Sequence, residues 1–168
     1  FIGIKNKLDI NEFIINKIFD GKTPDMIDQM NPMSWENLQE LSENGHLIGS
    51  HTKNHKRLSL LNNKSIMIDE IIYSGDFIEE KLKIKVDHFA YPFGDIDSIN
   101  REALLIASQR YKFIHSGIRG SNSVKTNPKT IRRESINTSD SPFYNEFLIR
   151  GGWSEFYRKN RKRIDAMI

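Results

Sequence analysis

The chain has 168 residues and a net charge of +3; 38% of its residues are hydrophobic and 28% are charged. This composition is typical of a globular protein with one hydrophobic core, so we expect residues 1–168 to form a single domain. The chain contains no cysteine, which excludes disulfide bonds and thiolate metal ligands and leaves His, Asp and Glu as candidate ligands. No apolar run approaches the roughly 20 residues that are needed to cross a bilayer.

Short apolar runs alternate along the chain with segments in which apolar residues recur at helical spacing. Strands are predicted at 1–4, 47–49, 86–91, 112–115 and 130–136. Helices are predicted at 8–19, 34–45, 62–82, 99–110 and 141–148, with a last helix that contains Trp153 and Ile164. Segment 116–129 is rich in Gly, Ser and Asn and is predicted to be a surface loop. This alternation predicts an α/β fold with a parallel sheet covered by helices, either as a barrel or as an open sheet.

A pair of histidines, His51 and His55, lies in the run GHLIGSHTKNHKRL directly after the predicted strand 47–49, which is expected to be buried. On a helical turn, residues four apart share one face, so both imidazoles can converge on one point. Neutral imidazole is the commonest zinc ligand, and two imidazoles with one carboxylate leave room for a water molecule. On spacing alone, a pair of surface or cap histidines in a polar turn is the favoured interpretation.

Several segments around this pair resemble the NodB-homology polysaccharide deacetylases (carbohydrate esterase family 4). The run GHLIGSHTKNHKRLS is similar to their second motif, HTxxH, and FAYPFGD at 89–95 is similar to their third motif. The run PMSWENLQELSENG resembles the helix that leads into the second motif, and FIGI at the start resembles the strand that follows the first. The resemblance extends from Phe1 to about Ile136. It implies a distorted (β/α) barrel that is incomplete at its N-terminal strand.

The resemblance also implies roles for individual residues. His51 and His55 would be ligands of a divalent metal, usually zinc in this family, and the hydroxyl of Thr52 would hold the turn. The backbone N–H of Phe93 would stabilise the oxyanion of the reaction. The residues that would shape the substrate groove are Tyr91, Pro92 and Gly94. Without the histidine motif, YPFG is equally compatible with an ordinary turn at the end of a strand.

The chain departs from the family pattern in two respects. The first motif, which supplies the catalytic base and the third metal ligand, is expected upstream of Phe1, so we expect the chain to be a truncated and inactive fragment. Asp9, Asp20 and Asp25 follow the first strand and are not assigned to that motif. The late histidine that acts as general acid is also missing, since no histidine follows His115. His115 could take its place, or it could be a structural histidine.

Arg133 is a candidate for the arginine that many relatives with a YPYG-like motif carry on a later strand, where its planar guanidinium could orient a carboxylate. A surface salt bridge is the other interpretation of this residue. A cluster of basic residues lies at 158–163. It is either a solvated helix face or a contact to an anionic envelope surface. Aromatic residues are not interleaved with it in a broad groove, so no nucleic-acid partner is expected.

The function implied by the resemblance is metal-dependent removal of N-acetyl groups from amino sugars of a polysaccharide or cell-envelope glycan. The location implied is extracytoplasmic or associated with the cell envelope. The first alternative is a catalytically silent NodB-like domain that binds a glycan or a protein partner. The second is an unrelated α/β fold in which the HTxxH spacing is accidental.

Overall fold

The computed structural model describes residues 32–168. By their internal contacts, residues Leu38–Ile168 form one compact unit, separate from Phe1–Asn37, of which only 32–37 are described. The predicted strand at 1–4, the predicted helix at 8–19 and the three early aspartates lie outside the described residues.

The described elements alternate between helices and strands, as the sequence predicts. In chain order they are helix α1 (Trp35–Glu43), a 3₁₀ turn (Leu58–Leu60), helix α2, strand β1 (His88–Ala90), helix α3 (Arg101–Arg110), strand β2 (Phe113–His115), helix α4 (Pro142–Ile149), a 3₁₀ turn (Glu155–Tyr157) and helix α5 (Arg158–Asp165). Helix α2 runs through three segments, Lys64–Ile68, Asp69–Tyr73 and Ser74–Leu82, and the middle one is π-helical. Among the described helices, none is both long enough and apolar enough to cross a membrane.

The sheet is parallel, and its segments lie side by side in the order in which they occur along the chain. Strands β1 and β2 pair in register, with Phe89 opposite Ile114. Ser50 bridges to Phe89 on the outer side of β1, and Ile131 bridges to His115 on the outer side of β2, both in parallel. Four successive segments are therefore aligned, which confirms the parallel arrangement in the described residues. Closure into a barrel stays a prediction.

Two of the predicted strands are much shorter than expected. The segment 47–49 contributes no residue to the sheet, since the bridge forms at Ser50 directly after it, and 130–136 contributes only the single bridge at Ile131. Leu47 is 80% exposed, so the prediction of a buried strand is wrong at that residue. The physical reason is that the chain joins β1 only at Ser50, whose N–H donates to the carbonyl of His88 at 2.9 Å.

The core lies on the helix-facing side of the strands. Phe89 and Ile114 project from β1 and β2 into it and are fully buried. The ring of Tyr111 stacks on Phe89 with centroids 5.1 Å apart. The residues that α2 and α3 contribute are Met67, Ile71, Ala103, Leu104, Ile106 and Ala107. The opposite side of the strands carries His88 and His115 and is only partly buried.

Helix ends are set by local hydrogen bonds of the kind the sequence predicts. The Ser34 hydroxyl accepts the N–H of Asn37 at 3.2 Å, and Ser141 does the same for Tyr144 at 3.2 Å. Gly45 follows α1 with φ of +86°, a conformation that favours glycine. The predicted helix starts at Ser34 and Ser141 are thereby confirmed.

The basic cluster at 158–163 forms most of α5 and makes contacts within the chain. Arg161 donates to the carbonyls of Arg119 at 3.2 Å and Ser154 at 2.5 Å. Two further members form ion pairs, Arg158 with Glu155 and Arg163 with Asp97. These contacts favour the interpretation of the cluster as a helix face over that of a docking surface.

Gly75 allows α2 to pack closely against Tyr111, and we expect Gly75→Ala to lower the free energy of unfolding. A Cβ at this position would lie 2.9 Å from Cζ of the Tyr111 ring, which is buried and fixed by a hydrogen bond from its hydroxyl to the carbonyl of Ile71. Overpacking of this kind costs about 1–3 kcal/mol. The same change in an open helix would add about 1 kcal/mol of stability. Urea unfolding followed by circular dichroism measures the difference.

The matched comparison is the same substitution in a Tyr111→Ala background, where the ring is absent and the loss should shrink or change sign. A Gly75→Ala variant that is as stable as the wild type would contradict the close packing.

Candidate active site

The histidine pair lies on a loop rather than on a helical turn. Residues 51–57 contain no helix, and Thr52 and His55 have φ of 65° and 54°, in the left-handed region. Such values are uncommon for residues other than glycine, above all for a β-branched one, and they prevent a right-handed turn. The ring centroids of His51 and His55 are nevertheless 4.9 Å apart, with the rings inclined at 67°. The helical geometry expected from the spacing is wrong, but the two imidazoles do lie together.

Strand β1 orients the first of these rings. Nδ1 of His51 lies 2.8 Å from the carbonyl oxygen of Ala90, the last residue of β1. A carbonyl can only accept, so Nδ1–H of His51 donates and its Nε2 keeps the lone pair. A bond of this kind fixes the tautomer and the ring orientation, as is usual for metal-ligating histidines.

A buried carboxylate of α2 anchors the loop between the two histidines. Glu70 accepts the backbone N–H of Asn54 at 2.8 Å and its side-chain Nδ2–H at 2.7 Å, and Lys56 Nζ lies 3.4 Å away. Burial alone would raise the pKa of Glu70, but the hydrogen bonds from Asn54 and Lys56 outweigh it and lower the pKa below its ordinary value. The sequence motifs do not point to Glu70. The available signal was an acidic side chain on the helix face that carries the apolar residues Met67 and Ile71.

The second part of the site is the turn after β1. The N–H of Gly94 donates to the carbonyl of Pro92 at 2.7 Å, and Phe93 between them has φ of 63°, which together make a γ-turn. The N–H of Gly117, just after β2, donates to the carbonyl of Gly94 at 2.8 Å and docks the turn on the neighbouring strand. Among the described residues, the N–H of Phe93 has no backbone acceptor.

Phe93 is where the turn meets the histidine loop. Its ring is 57% exposed, and its centroid lies 5.1 Å from that of His55. The guanidinium of Arg57 lies 4.8 Å from the Phe93 centroid and pairs with Asp95 at 3.4 Å. The two segments that resemble family motifs therefore contact each other through side chains.

The other predicted groove residues are buried. Tyr91 is 1% exposed and packs in the core against Phe89, and its burial raises the pKa of its phenol. A contribution of Tyr91 to a groove would have to come from its backbone, and the same holds for Pro92 and Gly94, which are buried too. The hydroxyl of Thr52 is buried and makes no hydrogen bond within the described part of the chain, so it does not hold the turn as expected.

The two remaining candidates, His115 and Arg133, contact other groups. Nε2 of His115 lies 3.0 Å from Nδ1 of His88, and the two rings are stacked. Burial lowers the pKa of His115, and the nearby His88 and Arg133 lower it further. Nε of Arg133 donates to the carbonyl of Ser116 at 2.7 Å, and partial burial lowers the pKa of Arg133. Within 32–168 Arg133 forms no salt bridge, and neither residue contacts His51 or His55.

The donor set fits part of a zinc site. His51 and His55 supply neighbouring imidazoles, and the hydrogen bond to Ala90 leaves Nε2 of His51 as an acceptor. The described residues contain no cluster of three or more His, Cys, Asp or Glu that could hold a metal ion. They would therefore supply two ligands.

Comparison with known protein families identifies the class of protein. The family model "Polysaccharide deacetylase" matches residues 5–111, more than half of the chain. The chain therefore belongs to the polysaccharide deacetylase family. A search of curated protein sequences found no match.

Solved structures show the same fold. The Streptococcus pyogenes deacetylase PplD in complex with acetate is 24% identical, with a TM-score of 0.60 over 68% of this chain and 49% of that one. A polysaccharide deacetylase from Bacillus cereus is 20% identical, with a TM-score of 0.61 over 88% of this chain and 48% of that one. The deacetylase domain of BpsB from Bordetella bronchiseptica is 19% identical, with a TM-score of 0.54 over 60% of this chain and 48% of that one. The chain thus spans about half the length of the structures it matches.

The close approach of the two loops at Gly94 leads to a stability prediction for the site. A Cβ at Gly94 would lie 2.5 Å from the backbone N of Gly117, and φ there is +72°. We expect Gly94→Ala to cost roughly 1–2 kcal/mol for the left-handed conformation and a further ~1–3 kcal/mol for the backbone contact. Chemical denaturation of the purified variants measures both.

Gly45→Ala is the matched control, because Gly45 has φ of +86° and nothing within 4 Å of an added Cβ. It should show the conformational cost alone. Equal losses at the two glycines would mean that the contact with Gly117 relaxes without cost.

The lowered pKa of His115 predicts a pH-dependent stability. As pH falls below about 6.5, the unfolded chain takes up a proton at His115 before the folded chain does. The free energy of unfolding should therefore fall as pH drops from about 6.5 toward the lower folded-state pKa, and His115→Asn should make this dependence shallower. Urea unfolding at a series of pH values between about 7 and 5 tests this, with His46→Asn at an exposed histidine as control. If both variants keep the wild-type slope, His115 is not the group responsible.

Proposed function

We propose that the protein is a metal-dependent hydrolase that removes N-acetyl groups from amino sugars of a polysaccharide or cell-envelope glycan. The observation that carries this proposal is the meeting of the HTxxH loop with the YPFG turn. His55 lies 4.9 Å from His51 on one side and 5.1 Å from Phe93 on the other, measured between ring centroids. Membership of the polysaccharide deacetylase family supports it. An extracytoplasmic location, where envelope glycans are exposed, belongs to the same proposal.

The reaction is hydrolysis of an acetamide. The oxygen of a water molecule bonds to the carbonyl carbon, the C–N bond breaks, and the departing nitrogen takes a proton, which yields acetate and a free amino sugar. A divalent metal, when bound, supplies polarisation of the carbonyl and a more acidic water. His51 and His55 are the described residues that would hold it.

The chain's own groups would orient the substrate and stabilise negative charge. The N–H of Phe93 lies at the tip of the γ-turn and is suited to donate to the carbonyl oxygen as its charge develops. The exposed Phe93 ring offers an apolar surface beside His55 for the acetyl methyl group or a sugar face. Arg57, held by Asp95, also contacts this ring and helps to fix it.

Arg133 and His115 have less direct roles in the proposed reaction. Arg133 carries a partly buried guanidinium that binds a carbonyl and, within 32–168, no carboxylate, so it is suited to orient an anionic group. His115 would act as a proton donor only after its ring leaves His88.

A catalytically silent, glycan-binding domain is the second candidate function. The observation that favours it is the exposed side chain of Phe93, which offers an apolar surface to a sugar face without any need for a metal.

Acetate release from N-acetylglucosamine oligomers, measured with the gene product at its full natural length and loaded with Zn²⁺, tests the proposal. We expect His51→Ala and His55→Ala each to reduce the rate at least ~100-fold, since a metal ligand affects several kcal/mol of transition-state stabilisation. His46→Ala, at an exposed histidine outside the pair, should leave the rate unchanged.

Absence of acetate release from the wild-type protein, together with retained binding of the oligomers, would replace the enzyme with the silent domain. Full activity of either histidine variant would remove the pair from the mechanism.

A further inference from the structure

We propose that Glu70 is the positioning residue of the histidine pair, and that it acts through Asn54 to hold the His55 imidazole beside that of His51. The inference rests on the proposed role of this pair. Glu70 belongs to the π-helical segment Asp69–Tyr73 of α2 and is 0% exposed. Single π-helical turns inside α-helices are frequent at functional sites. Here the extra residue in the turn directs an acidic side chain toward the loop.

One carboxylate holds both chain neighbours of His55. Asn54, directly before it, gives Glu70 two hydrogen bonds, from its backbone N–H at 2.8 Å and from Nδ2 at 2.7 Å. Lys56, directly after it, places Nζ 3.4 Å from the same carboxylate. The backbone of Glu70 adds a third attachment, since its carbonyl accepts the N–H of Lys53 at 3.2 Å.

His55 needs such support because its backbone is held in a disfavoured conformation. Its φ of 54° lies in the left-handed region, which a residue with a side chain leaves unless its surroundings fix it. A return to negative φ would turn the imidazole away from His51. Because Glu70 is buried, its carboxylate cannot exchange Asn54 for water, so the attachment is rigid.

The test measures the geometry of the pair without relying on catalysis. Iminodiacetate fills three coordination positions of Cu²⁺, so tight binding of Cu²⁺–iminodiacetate to the folded chain requires two imidazoles held close together. The dissociation constant is measured by titration calorimetry for the wild type and for a His51→Ala/His55→Ala baseline. Far-UV circular dichroism confirms that each variant is folded at the temperature used.

Glu70→Gln should weaken this binding about 10-fold or more, the range typical for groups that orient metal ligands. Asn54→Ala removes only one of the two hydrogen bonds, from an exposed side chain, and should weaken the binding by a smaller factor. This variant tests the proposal even if Glu70→Gln fails to fold. Glu70→Gln/Asn54→Asp exchanges donor and acceptor across the pair and should restore most of the affinity. A purely structural role would not give this rescue.

Asp69→Asn is the matched control. Asp69 precedes Glu70 on the same segment and pairs with Lys53 of the same loop at 3.0 Å, but its side chain is 39% exposed and does not contact Asn54. The affinity of the Asp69→Asn variant for the chelate should stay within about twofold of the wild type, as expected for the loss of an exposed ion pair.

The proposal is overturned if Asn54→Ala and any folded Glu70→Gln protein bind the chelate as the wild type does. It is also overturned if the wild type binds no more tightly than the double-alanine baseline. Neither result depends on acetate release, so a silent domain with a well-formed pair would still support the role of Glu70.

Discussion

The peptide groups of Ala90 join the sheet to the candidate site, and the rest of the site depends on that junction. Its N–H donates to the carbonyl of Ser50 at 2.9 Å, which is the last sheet bond between the two segments. Its carbonyl accepts Nδ1–H of His51 at 2.8 Å. The His51 side chain thus binds the carbonyl of Ala90. A backbone N–H of the neighbouring segment would bind this carbonyl if the strand pairing continued. The sheet ends and the site begins at one residue, so the end of strand β1 sets the orientation of His51.

The remainder of the site is built from backbone conformations that only tertiary contacts can maintain. Thr52, His55 and Phe93 all have positive φ although none is glycine. Strain of this kind persists where the surroundings over-determine the chain, and it concentrates at functional sites. Here the carboxylate of Glu70 fixes the first loop, and the hydrogen bond from Gly117 to Gly94 fixes the second. In both cases the group that fixes the loop belongs to an element outside the two motifs. The short motifs can therefore keep strained backbone conformations.

This division explains what the sequence could predict. Helix α2 and the start of α4 at Ser141 follow from local periodicity and side-chain chemistry, and both lie where expected. The positions of the motifs after strands follow from the α/β pattern. The left-handed turns, the π-helical segment and the role of Glu70 depend on contacts between residues far apart in the chain, about which periodicity says nothing. The predicted burial of Leu47 is wrong for the same reason. An apolar residue at this position would be buried only if the chain joined the sheet before it.

Charge sets the remaining requirement of the site. Two acidic groups that bind the loops of the site are already engaged, Glu70 with Asn54 and Lys56, and Asp95 with Arg57. His51 and His55 would bring neutral imidazoles to a divalent ion, and Arg133 adds a further positive group that no described carboxylate compensates. Anionic ligands close to a divalent ion stabilise it because they offset its charge. The proposed chemistry is therefore favoured by a carboxylate in addition to the two imidazoles.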